Sequence, residues 1–299
     1  MDSRLRNYTR RNISKGFFDN FFRKLSLTNW IILVNVIVFI SVYIFSSIFG
    51  IEKVVSYIAL QPDKFFSGQF WTVLTSMFVH IEIWHLFANM LSLFFIGNLV
   101  ERLIGRKRLL WVYLFSGIFA GLFFACLSYF LGNLCLVKLF GNCIGGKIFG
   151  SPSIGAVGAS GAIFALVGIL AFLTPYKKVY LIAGPLVAII LQAILSGMSL
   201  NSGLMVIINL LLNIYIIVAI FAMFSFNPNL VKFSLPVKMS FMILPIVAIV
   251  PLILIGLFID LPIGNMAHLG GLIAGLGYGY YLRVRYRKKT EMIRKYFAD

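Results

Sequence analysis

Eight stretches of this chain run for about the length of a membrane crossing with almost no charge, and this feature limits the possible folds more than any other. A spanning helix needs about 20 mostly apolar residues, and in hydrocarbon every backbone polar group must find its partner within the protein. The runs cover residues 30–49, 83–100, 109–131, a shorter 155–173, 180–198, 204–226, 235–259 and 263–282. Soluble domains are about 45–50% apolar and about 25% charged. Here 61% of residues are hydrophobic and 12% charged, so water is the wrong solvent. The fold class expected is an all-α polytopic membrane protein. The first run is too long for a signal-peptide core and is expected to be retained.

A net charge of +17 suggests nucleic acid at first sight, but its distribution excludes that partner. Of the 26 Lys and Arg residues, only Lys53, Lys64, Lys138 and Lys147 fall on one side of an eight-span arrangement. The others crowd the N-terminus (Arg4 to Lys24), the turns at Arg102–Arg108, Lys177–Lys178 and Lys232–Lys238, and the tail from Arg283 to Lys295. That alternation follows the positive-inside rule. It predicts both termini in the cytoplasm, a basic N-terminal segment over 1–28, a transmembrane domain over 29–284 and a basic tail over 285–299. The plasma membrane is the expected location. The sequons at Asn7 and Asn12 lie on the cytoplasmic side and are read as chance matches. Cys126, Cys135 and Cys143 have no metal-ligand spacing; Cys135 and Cys143, eight residues apart in one outer loop, are a candidate disulfide.

Polar side chains within spans are costly and mark function by default. His85 lies about three residues below the outer end of the second run, with Asn89 one helical turn later on the same face. Ser160 follows Pro152 by eight residues, and His268 follows Asp260 by eight. At 1.5 Å per residue all four lie roughly 5–12 Å below the outer surface, on three helices that descend in the same direction. A hydroxyl, an imidazole and two further polar groups at one depth are the parts of a nucleophile, its base and an oxyanion site. Each has a plainer reading. Ser160 between Gly158 and Gly161 is a small-residue packing motif, as are Gly271 and Gly275. His85 and Asn89 could clamp two helices together. At a common depth, the four favour catalysis over coincidence.

The combination resembles the rhomboid family of intramembrane serine proteases. The motifs are His85-Leu-Phe-Ala-Asn89, Gly158-Ala-Ser160-Gly161 and Ala267-His268-Leu-Gly-Gly271-Leu-Ile-Ala-Gly275, joined by Trp71, His80 and Gly97-Asn-Leu-Val-Glu101. The resemblance implies a serine endopeptidase that cleaves transmembrane segments of single-pass or polytopic membrane proteins within the lipid bilayer. Ser160 would be the nucleophile and His268 the base of a dyad. His85, Asn89 and the Ser160 N–H would form the oxyanion hole, and His80 would have a structural role. No cofactor or metal is implied. The chain departs from the family pattern in three places. Trp71-Thr72 replaces a Trp-Arg pair, Phe164 stands where Tyr is common, and about two extra spans, placed at 180–226, lie between the Ser and His helices of a six-helix core. An insertion there must contain an even number of spans, or Ser160 and His268 would enter from opposite faces. Two other classes stay open: an inactive rhomboid-like protein that binds membrane clients, and a transporter with an intramembrane polar site.

Overall fold

A computed structural model of the chain describes residues 25–135, 138–139, 142–196, 201–224, 227–256 and 264–297. The basic segment before residue 25 with both sequons, residues 197–200 of the expected outer turn, and Asp260 lie outside that description.

Helix α1 (Leu27–Phe49) leads into three short helices, α2 (Ile51–Ile58), α3 (Pro62–Phe66) and α4 (Thr72–Thr75). Next come α5 (Ile83–Ile104) and α6 (Arg106–Leu131), separated by Gly105 at φ 86°, a conformation that only glycine adopts without strain. A two-residue hairpin of β1 (Lys138–Leu139) and β2 (Asn142–Cys143) precedes α7 (Ile144–Phe149), and a loop then delivers α8 (Ser160–Leu173). Strand β3 (Lys178–Ile182), α9 (Ala183–Ser196), α10 (Ser202–Phe224), α11 (Pro228–Val231) and β4 (Pro236–Ser240) follow. The described chain closes with α12 (Leu244–Gly256), α13 (Asn265–Arg285) and α14 (Arg287–Tyr296). The chain is an all-α polytopic membrane protein: α1, α5, α6 and most of α10 are long and apolar enough to cross a bilayer.

Helix α8 is the centre of the bundle. Ile163, Ala165, Leu166, Val167, Gly168, Ile169 and Leu170 are all buried, so residues around its whole circumference meet protein rather than lipid. It packs against α13 and α6. At 14 residues it is only about 21 Å long, but a helix enclosed by protein need not match the hydrocarbon thickness.

The contact between α8 and α13 is made by glycines. A Cβ on Gly271 would strike the carbonyl oxygen of Gly161, and one on Gly275 that of Ala165. From the other side, a Cβ on Gly168 would lie 2.8 Å from the Leu276 nitrogen. With no side chains between them the two backbones touch, the geometry that small residues permit in membrane helices.

Two expected spans need correction. Residues 180–182 and 236–240 are strands of one antiparallel ribbon, with Lys178 opposite Ser240 and Ile182 opposite Pro236. Val, Tyr, Leu and Ile runs read alike for a buried strand and a membrane helix, and here pairing decided for the strand. The fourth expected span is also shorter than 155–173, because its first residues form the loop described next. Cys126 is a free thiol and Cys135 is disulfide-bonded; the Cys143 side chain lies outside the described residues.

Candidate active site

The loop before α8 brings Ser160 into place. Ala156 pairs through both backbone groups with Leu60 at 3.0 Å, and the Gly158 N–H donates to the Ser76 carbonyl at 2.8 Å. Gly158 has φ 121°, out of reach for ordinary side chains, and turns the chain sharply into the helix. Ser160 is therefore the first residue of α8, not a residue two turns down a helix as simple counting gave. The consequence is chemical: the first N–H groups of a helix lack intrahelical partners and carry the positive end of its dipole.

His268 lies in the first turn of α13. Its Nε2 is 2.7 Å from the Ser160 Oγ. The close glycine contact allows this, since the hydrogen bond needs the two backbones near each other. Phe164, one turn below Ser160, stacks on the imidazole with ring centroids 4.5 Å apart and planes 20° apart. The Nδ1 of His268 is buried with no hydrogen-bond partner among the described residues. Among the described residues it is packing against the Phe164 ring, and no carboxylate, that holds the imidazole.

His85 and Asn89 face the same loop from α5. The spot where a Gly158 Cβ would stand is 2.8 Å from His85 Nε2 and 3.9 Å from Asn89 Nδ2. Glycine at 158 thus leaves room for both side chains two residues ahead of Ser160. The Asn89 amide donates to the His85 carbonyl at 2.9 Å. His80 is fully buried, meets His85 with ring centroids 4.9 Å apart, and its Nε2 accepts the Ala159 N–H at 3.5 Å. The residue before Ser160 is thereby tied to the loop that precedes α5. The sequence had no sign of this bond, nor of the Leu60–Ala156 bridge, because backbone groups have no letter of their own.

Glu101 lies at the far end of α5, away from Ser160. Its carboxylate accepts the backbone N–H groups of Leu27 and Thr28, each at 2.9 Å, and the Thr28 hydroxyl at 2.8 Å. Ser26 Oγ donates to Asn98 at 2.8 Å, and a Cβ on Gly97 would lie 2.7 Å from Thr28 Cγ2. The Gly-Asn-x-x-Glu motif caps the start of α1, a structural duty. Among the described residues no group of three His, Cys, Asp or Glu could hold a metal ion.

A family model described as Rhomboid domain matches residues 67–215 and 214–285, most of the chain. The chain belongs to the rhomboid family. RHOMBOID-like protein 12, mitochondrial, of Arabidopsis thaliana is 29% identical over 134 residues, 45% of this chain and 38% of the relative. The putative rhomboid protease YdcA of Bacillus subtilis is 30% identical over 112 residues, 38% of this chain and 45% of the relative. Inactive RHOMBOID-like protein 8 of Arabidopsis thaliana is 39% identical over 57 residues, 19% of this chain and 16% of the relative. The chain spans less than half the length of these relatives. This rhomboid is an integral membrane protein, and relatives named for mitochondria lend no support to the plasma-membrane expectation.

Proposed function

We propose that this rhomboid is an intramembrane serine endopeptidase acting on transmembrane segments of other membrane proteins. The observation that carries the proposal is the 2.7 Å contact between Ser160 Oγ and His268 Nε2 at the start of a helix. Ser160 attacks the scissile carbonyl while Nε2 of His268 takes its proton. The carbonyl electrons move onto an oxyanion facing the Ser160 N–H, the α8 N-terminus, and the side chains of His85 and Asn89. Collapse of this intermediate breaks the C–N bond, and His268 returns the proton to the departing amine. Water then adds to the acyl-Ser160 ester, giving a proton to His268. As this second intermediate collapses, the Oγ–C bond breaks, His268 returns the proton to the Ser160 Oγ, and the acid is released. Phe164 keeps the imidazole in line through both halves.

The charge pattern supports an orientation with the basic ends of α5, α8 and α13 in the cytoplasm, and the site near the outer face.

The test pairs wild type with Ser160→Ala. Wild type should cleave a transmembrane reporter and label with a fluorophosphonate. The variant should do neither, at unchanged expression and melting temperature. Cleavage undiminished in the variant removes Ser160 from the mechanism. Client binding without cleavage in the wild type would favour the other reading, for which the relative named inactive is a precedent.

A further inference from the structure

The C-terminal helix has a face that the protein itself leaves unused. Tyr286, between α13 and α14, has φ −122° and ψ 43°, so α14 departs from the line of α13 and lies across the end of the bundle. Its inner stripe of Thr290, Ile293 and Phe297 points into the protein: Thr290 is buried, and Thr290 and Ile293 line a small cleft with Ile104, Arg108 and Leu173. Two cation–π contacts pin the far end, Arg294 over Tyr176 at 5.8 Å and Lys177 over Phe297 at 4.4 Å. At the near end the Arg108 guanidinium donates to Tyr286 Oη at 2.9 Å. This helix is docked, not trailing.

Its outer stripe differs. Lys288, Met292 and Tyr296 follow one another at four-residue steps and so share one face. Met292 is 69% and Tyr296 79% exposed, large apolar side chains presented outward on a helix where Glu291 is the only acid. Lys288, Lys289 and Lys295 are exposed beside them, and exposed Arg102, Arg106, Lys107 and Lys178 stand at the same end of the bundle. An apolar residue and an aromatic one bracketed by lysines suit the boundary between headgroups and acyl chains. Basic residues beside a span attract an anionic leaflet.

We infer that α14 is an interfacial helix that seats on anionic lipid headgroups of the leaflet at this end of the molecule. Lysines bind the headgroups, and Met292 and Tyr296 enter the acyl boundary. The inference rests on the membrane fold alone and is independent of protease activity.

The experiment uses the full-length protein with Cys126→Ser and Met292→Cys, labelled at 292 with the polarity-sensitive dye NBD. It is placed in nanodiscs of phosphatidylcholine alone or mixed with phosphatidylglycerol. NBD emission should shift to the blue in the anionic discs, and strong salt should reduce the shift. The combined substitutions Lys288→Gln, Lys289→Gln and Lys295→Gln should remove its dependence on phosphatidylglycerol. Equal emission of the parent protein in both bilayers overturns the inference. So does a shift produced in zwitterionic discs by soluble polyglutamate or inorganic phosphate, which would assign the surface to a soluble acidic partner or a free anion.

Discussion

Removing the amide of Asn89 should leave the Ser160 hydroxyl in place and slow its chemistry. Loss of one oxyanion donor costs about 2.7–4 kcal/mol, or roughly a hundredfold to a thousandfold in kcat. Asn89→Ala is therefore expected to retain fluorophosphonate labelling while turnover of a reporter falls by that factor. In the structure the amide binds the His85 carbonyl, so it must turn toward the substrate as charge develops. A variant that instead melts early, with kcat per folded molecule unchanged, would show that Asn89 is a clamp. At this scale the site was largely legible in the sequence. Histidines and an asparagine inside apolar runs are too costly to be common, so each draws notice. Phe164, the residue four after Ser160, was legible from the family resemblance as a ring to support His268; how closely the two rings stack depends on the approach of α13. That approach belongs to the helices.

Glycine decides the contact between α8 and α13, so a larger residue there should act on stability and activity together. Gly275→Val must push α13 away from the Ala165 carbonyl. Overpacking of this kind costs about 1–3 kcal/mol. Reporter cleavage should fall more steeply than the melting temperature, because the Ser160–His268 contact stretches before the fold is lost. Glu101 offers the contrasting case. Its carboxylate satisfies two orphan N–H groups of α1 and the Thr28 hydroxyl. Hydrogen bonds to a charged group are each worth about 1.5–3 kcal/mol. Glu101→Ala should lower the thermal midpoint in detergent yet leave fluorophosphonate labelling intact in the fraction that stays folded. Loss of labelling at unchanged stability would contradict the capping role. The helices were legible from apolar runs and the tight pair from its glycine spacing. The ribbon of β3 and β4 was not, since Tyr180-Leu-Ile182 reads equally as the start of a span. Its partner strand is over fifty residues away, and no local pattern shows a pairing at that distance.

The ribbon sets the constraint for the whole molecule. It brings Lys178 opposite Ser240 and Tyr180 opposite Lys238, so the chain leaves the core and returns to it at one place. Between these points run α9, of 14 residues, and α10, of 23, packed on each other and joined by the Gln192 amide donating to Asn213 at 3.0 Å. A two-stranded ribbon has open edges whose N–H and C=O groups need water or protein, so it cannot lie exposed in hydrocarbon. With Lys178 and Lys238 on it, its place is the basic end of the molecule, the end the positive-inside rule would set in the cytoplasm. If α9 crosses outward, α10 must cross back, and the turn near Asn201 faces the opposite side. Ser160 and His268 then both enter from one and the same face, as their hydrogen bond requires. In cells carrying Cys126→Ser, a cysteine at Asn201 should react with a membrane-impermeant maleimide applied from outside, and one at Lys178 should react only after permeabilisation. Protection at 201 with labelling after permeabilisation would place both ends of α10 on one side. The helix pair would then be re-entrant, and the two added crossings would have to be withdrawn while the Ser160–His268 contact, fixed by the α8–α13 glycines, remained.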